Sequence, residues 1–332
     1  GLVTAPRSAA DLVGRRVSVD VPATTANLGA GFDALAMALD LATTIEVCVV
    51  PPEAEPAFDV EVHGEGAGHL PTGRRNRFVS TLLEGLDAAG VDPAGAGLHV
   101  RMDNNIPVAR GLGSSASATV AALVAADALL GGGLGRRRIL ELATEAEGHA
   151  DNAAAALYGG VCVVGTVDGR PRAVRFDPPE ALLAALYIPD KHLSTAAMRR
   201  ALPESVPFED AVHNVGAATL AVAALTKGPL ELLGPGTVDR LHEPYRASAY
   251  PELPELIAAA RTAGAQGACL SGAGSTVIAF SDDVVAAATI AAAMERRAQE
   301  LGLGGRAAVQ AARAEGARVI ETGDERPSRS SG

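Results

Sequence analysis

Residues Gly111-Leu112-Gly113-Ser114-Ser115-Ala116-Ser117 combine two glycines with three hydroxyls and run straight into the helix formers of 118–126. A loop opening onto a helix in this way leaves several backbone N–H groups unpaired, with partial positive charge at that end. Glycines let a phosphate approach such a backbone with no Cβ in the way. The serines can cap the helix, and one of them can reach a Mg²⁺ riding on the phosphates. A glycine turn with an ordinary serine N-cap accounts for the same residues equally well. The loop lacks the lysine of G-x-x-x-x-G-K-[ST], and Ala116 stands where a dinucleotide fingerprint needs its third glycine. What remains is a nucleotide cradle of another type.

Three further stretches could face a ligand. Pro22-Ala23-Thr24-Thr25-Ala26-Asn27-Leu28-Gly29-Ala30-Gly31-Phe32-Asp33 leaves a strand, packs small residues and presents Asn27 and Asp33. It reads as an Asx-capped turn or as a substrate-facing loop. Glu141, Glu145 and His149 fall on one helical face, ahead of His149-Ala150-Asp151-Asn152 at a helix junction. Glu147, on the same helix, reads as a solvated acid. Ser271-Gly272-Ala273-Gly274-Ser275 is a glycine turn between two strands, either a plain hairpin or a backbone wall against a ligand.

The elements that must position these residues follow from periodicity. Residues 1–14 read as a loose leader and 323–332 as a frayed polar tail. Strands are predicted at 17–21 (ended by Pro22), 45–50, 59–62, 98–102 and 160–167. Helices are predicted at 76–89, after Gly113, at 137–149 and, briefly, after Asp151. Pro178-Pro179 marks a boundary between units spanning 15–177 and 180–322. The second unit carries strands near 186–188, 267–270, 275–280 and 317–320, with helices near 195–202, 208–225, 252–263 and 284–300. This order suits an α+β layered architecture.

Composition narrows the function classes. The chain of 332 residues is 48% hydrophobic but 3% aromatic with no tryptophan, so alanine, valine and leucine must fill its cores. A formal net charge of −11 argues against a nucleic-acid surface or a polybasic membrane patch. Such a protein can bind ATP only through local backbone N–H groups and a metal ion. Cys48, Cys162 and Cys269 lie in apolar, strand-like runs and read as buried small hydrophobes in a reducing compartment. No cysteine or histidine spacing suggests zinc. With no secretory leader and no apolar run long enough to span a bilayer, a cytoplasmic protein is expected.

The proline-led small-residue loop, the P-x-x-x-G-L-G-S-S-A loop and the late glycine turn, taken in this order, resemble the GHMP kinase superfamily over nearly the whole chain. Within it, P-A-T-T-A-N-L-G-A-G-F-D and G-H-A-D-N resemble the homoserine kinases. Thr24 stands where mevalonate-type relatives carry the lysine of P-x-K, and the galactokinase signature G-E-H-x-D is missing. Ala273 replaces a proline common in the late motif. The resemblance implies a two-domain α+β fold: an N-terminal ribosomal-protein-S5-domain-2-like domain and a C-terminal ferredoxin-like α/β sandwich.

It further implies an alcohol phosphotransferase that uses MgATP to convert L-homoserine into O-phospho-L-homoserine for threonine biosynthesis, with a homodimer as the expected assembly. Pro107, Arg110 and Gly111, Leu112, Gly113, Ser114, Ser115, Ala116 and Ser117 would surround ATP, with Asn76 near the adenine. Ser115, ahead of Ser114, would share Mg²⁺ with Glu141. Asn27, Asp33, His149, Asn152, Arg199 and Arg246 would hold homoserine. The charges agree, since arginines grip a carboxylate bidentately and an aspartate holds an ammonium. Asp151 and Asn152 compete for the place of a catalytic base, beside Arg199. If neither serves, the proton passes to the phosphate itself. The alternatives are a sibling kinase acting on mevalonate or shikimate and a catalytically silent binding protein on the same fold. A pyridine-nucleotide oxidoreductase is disfavoured by the missing fingerprint.

Overall fold

The computed structural model describes residues 6–324; residues 1–5 of the expected leader and 325–332 of the expected tail lie outside it. In chain order the elements are β1 (Arg15–Ala26), β2 (Leu35–Val50), β3 (Phe58–Gly64), α1 (Arg77–Ala88), β4 (Gly97–Asn104), α2 (Ser114–Leu129), α3 (Gly135–Glu147) and α4 (Asp151–Tyr158). Then come β5 (Val161–Val167), β6 (Arg170–Phe176), β7 (Leu183–Pro189), α5 (Thr195–Arg200), α6 (Phe208–Thr226) and two short turns of helix, α7 (Leu233–Gly236) and α8 (Glu243–Arg246). The chain continues through α9 (Leu253–Thr262), β8 (Gly267–Leu270), β9 (Val277–Ser281), α10 (Val284–Glu300), β10 (Gly305–Ala311) and β11 (Arg318–Asp324).

Two sheets result. The first runs β11-β1-β2-β4-β3, with β5 also paired to β2 and β6 to β5. Among the described residues only its β3–β4 pair is parallel. The second is antiparallel, in the order β10-β7-β9-β8. One core lies between the first sheet and α1 to α4, built from Val19, Ile45, Val100, Leu123 and Ala154 among others. A second, under α9 and α10, uses one face of β7 (Ala185, Tyr187). The other face of β7 (Leu186, Ile188) meets Met37, Leu39 and Leu112 of the first unit. The period-2 alternation of one strand therefore welds the units together.

Several expectations change. The leader is anchored from Ala9 on: a 3-10 turn at Ala9–Leu12 buries Leu12, and the Ala9 N–H donates to the Asp92 carbonyl at 2.8 Å. Pro22 does not end its strand, because β1 continues to Ala26 with a bulge between Pro22 and Ala23. A bulge is where a residue without N–H can stay inside a sheet. β2 starts ten residues earlier than predicted, since 35–39 is buried on both faces and shows no alternation. β6 and β10 were not expected; arginines and alanines hide their pattern. The last strand, predicted within the second unit, pairs with β1 of the first sheet. Cys162 and Cys269 are buried free thiols as expected, but Cys48 is only half-buried. Among the described residues no helix is long and apolar enough to cross a membrane.

Candidate active site

A cleft of about 450 Å³ is lined by strands, helices and loops of the first unit and by helices and loops of the second. Its upper wall is the expected glycine-serine loop. Gly113, in left-handed conformation (φ 72°), is the N-cap of α2, and among the described residues no side chain caps that helix. The expected serine cap is therefore absent: Ser114 and Ser115 are already helical, and an anion would meet bare N–H groups. Glycine is required twice here. A Cβ on Gly111 would strike the Ser271 carbonyl, and one on Gly113 the Thr24 hydroxyl. Gly111, Gly113, Ser114, Ser115, Ala116 and Ser117 line the cleft together with Asn76, the N-cap of α1.

The late turn and the second unit hold this loop. Ser271 Oγ donates to the Gly111 carbonyl at 2.7 Å, and the Thr276 N–H donates to the Arg110 carbonyl. The Arg110 guanidinium spans the lobes, donating to the carbonyls of Pro189 (2.6 Å) and Asp190 (3.0 Å). Pro107 and Leu112 are buried and do not line the cleft; Leu112 serves the inter-lobe core. Ser117 is buried too, its hydroxyl tying α2 to the Pro22 carbonyl at 2.7 Å.

The opposite wall is made of charged side chains. Arg199 of α5 grips Asp33 bidentately, at 2.8 and 2.9 Å. That pair raises the Arg199 pKa. Arg246 of α8 lies behind it, 2% exposed, donating to the carbonyl of Gly272 at 3.1 Å. Burial, then the nearby Arg199, lower its pKa. Asn27 reaches the same Gly272 carbonyl at 2.9 Å and accepts the Asp33 N–H at 3.0 Å. Both guanidiniums sit over the Phe32 ring, 5.5 and 5.3 Å from its centroid, and the ring stacks on His242 at 4.9 Å. His242 is fully buried; burial lowers its pKa, and its Nε2 pairs with the Gly29 carbonyl at 2.8 Å. Five arginines (75, 77, 110, 199, 246) face three acids (Asp33, Glu147, Asp151) around the cleft, a local excess of positive charge in an acidic protein.

Comparison with known proteins decides what this arrangement is. The N-terminal domain model of the GHMP kinases matches residues 76–160, and their C-terminal model matches 221–300. The homoserine kinase of Corynebacterium efficiens is 43% identical over 280 residues, covering 82% of this chain and 88% of that protein. The chain belongs to the homoserine kinase family of the GHMP kinases. The homoserine kinase of Streptomyces avermitilis is 44% identical, covering 81% of this chain and 87% of its own length. The crystal structure of homoserine kinase from Cytophaga hutchinsonii superposes with a TM-score of 0.80 at 30% identity, covering 92% and 97% of the two chains.

Against that family background the acidic residues fall differently from their sequence reading. Glu141 lies outside the cleft lining, among Arg137, Arg138 and Arg170. Glu147, read as a solvated acid, lines the cleft instead. Its Oε1 accepts from Ser115 (3.0 Å), Thr119 (2.7 Å) and Arg77 (2.7 Å). Helical geometry separates them: six residues are 600° of turn, which puts 141 and 147 about 120° apart. Asp151 is 2% exposed, and its Oδ1 meets both His149 Nδ1 (2.7 Å) and the Asn152 N–H (2.8 Å). This hydrogen bond is the main cause that raises the His149 pKa. Asn152 lines the cleft at the head of α4. Phe32 and His242 were not singled out as site residues, although Phe32 precedes Asp33 and His242 lies one turn before Arg246.

Proposed function

We propose that the protein is a homoserine kinase, transferring the γ-phosphoryl group of ATP to the side-chain hydroxyl of L-homoserine. The observation that carries this reading is the Asp33–Arg199 pair with Arg246 behind it, facing the uncapped end of α2 across one cleft. An amino acid brings both an ammonium and a carboxylate, so it can replace each half of that ion pair without stranding a charge. A substrate with a carboxylate alone, such as mevalonate or shikimate, leaves Asp33 unmatched.

The bare N–H groups of α2 and the glycine loop receive the triphosphate. In the transfer, the alcohol oxygen bonds to the γ-phosphorus as the bond to the β–γ bridging oxygen breaks. ADP leaves, and the alcohol proton passes to a phosphoryl oxygen. Asp151 holds His149 and a backbone N–H through Oδ1, and we assign it to positioning the histidine rather than to taking this proton. Arg199 and Arg246 fix the carboxylate end, and His149 and Asn152 border the reacting end. Catalysis here is positioning and charge neutralisation. Mg²⁺, where bound, would supply part of that neutralisation. Its expected partners, Ser115 and Glu141, lie apart, while the Ser115 hydroxyl and Glu147 carboxylate offer adjacent hard oxygen donors. We place the metal on Ser115 and Glu147.

ADP release measured in parallel with L-homoserine, mevalonate and shikimate tests the reading. Turnover with homoserine alone is expected. Turnover with either of the others in its place, or with none of the three, overturns it.

A further inference from the structure

Thr24 does not line the cleft, yet it touches both halves of it. It is fully buried near the end of β1. Its hydroxyl donates to Asn152 Oδ1 at 2.8 Å, joining residues 128 apart in the chain. Its backbone N–H donates to the Leu112 carbonyl at 3.1 Å, inside the phosphate loop. A Cβ on Gly113 would overlap the Thr24 hydroxyl and approach Asn152 Oδ1 to 3.2 Å. One hydroxyl is thus packed between the residue that opens α2 and the amide near the start of α4.

The chemistry of an amide gives this contact a consequence. Asn152 has an acceptor end and a two-proton donor end, and nearly the same shape with the two exchanged. The Thr24 hydroxyl, able to donate or accept, donates here to Oδ1, and this arrangement leaves the donor end for the cleft. Among the described residues, no hydrogen bond occupies Asn152 Nδ2, while the residue itself lines the cleft. A carbonyl presented there would repel a phosphoryl group; an NH₂ stabilises the charge it gathers.

We propose that Thr24 is a positioning residue for phosphoryl transfer: its hydroxyl fixes the Asn152 amide with NH₂ toward the reacting oxygens and ties that donor to the phosphate loop. Asn152 is thereby a hydrogen-bond donor and not a base. The inference rests on the cleft being the site of phosphoryl transfer to an alcohol.

Thr24→Val removes the hydroxyl at nearly constant shape, Thr24→Ser keeps it, and Thr24→Ala removes it without crowding the amide should the valine variant not fold. The hydroxyl-less variant should lose roughly tenfold in kcat, the worth of one lost hydrogen bond, while KM for ATP stays within about twofold. Thr24→Ser should restore most of the rate. On an Asn152→Ala background the same substitution should cost nothing further, because the group it orients is gone. An unchanged kcat in the hydroxyl-less variant overturns the proposal. So does an equal loss in Thr24→Ser, which would mean packing alone, or a full additional loss on the Asn152→Ala background. Failure of the wild-type protein to phosphorylate homoserine would instead sink the functional reading, before any variant is compared.

Discussion

The two walls of the cleft are built on opposite plans. The wall we assign to the phosphates is main chain: a glycine-opened helix end with no side-chain cap among the described residues, within seven consecutive residues. The wall we assign to the acceptor alcohol is side chain: Asn27 and Asp33 from the β1–β2 loop, Asn152 from α4, Arg199 from α5 and Arg246 from α8. Backbone N–H groups serve any polyphosphate, so on our reading that wall would set affinity with little selectivity. Polar and charged side chains brought from four places match one charge pattern, so on our reading the second wall would set which alcohol reacts. General recognition is local in sequence here, and specific recognition is distributed.

Arg246→Met should sharpen this contrast most. Truncating a buried partner of a carboxylate costs several kcal/mol, so kcat/KM for homoserine should fall about a thousandfold while ATP binding holds within about threefold. Equal losses for both substrates in steady-state kinetics would mean that the walls are not separable. Gly113→Ala attacks the other wall. Strain at φ 72° plus overlap with the Thr24 hydroxyl should destabilise the fold by about 2 kcal/mol, read in urea denaturation, with nucleotide affinity reduced. An unchanged midpoint would show that the loop can relax.

The smallest effect lies at the seam between the walls. Asp151 raises the His149 pKa above its ordinary value. The charged pair therefore adds stability that is fully present below the ordinary histidine value, about 6.5, and is lost as pH rises through the raised one. Chemical denaturation of wild type and His149→Gln across neutral pH should show the stability difference shrinking as pH increases. A constant difference would remove the ion pair from the account.

Legibility followed the same division. Strands and helices with clean periodicity were readable, while the fully buried start of β2 and the arginine-rich β6 gave no alternation to read. In the site, the glycine loop could be read because its chemistry is its own backbone. Glu147 could not, since an acid on an amphipathic helix carries no mark of the partner it will meet. Thr24 was visible as the residue replacing a lysine, but its contact with Asn152 is made only by the fold.

By itself the sequence determined the two α+β units, the glycine-opened helix end and, through its ordered motifs, the family. These depend on residues close in the chain, where bond geometry and helical period fix the outcome. The tertiary structure decided that Asp33 closes on Arg199, that Glu147 and not Glu141 reaches Ser115, and that β11 returns to pair with β1. The physical reason is that such pairings depend on how separate elements pack, and side-chain charge or polarity alone does not specify a distant partner.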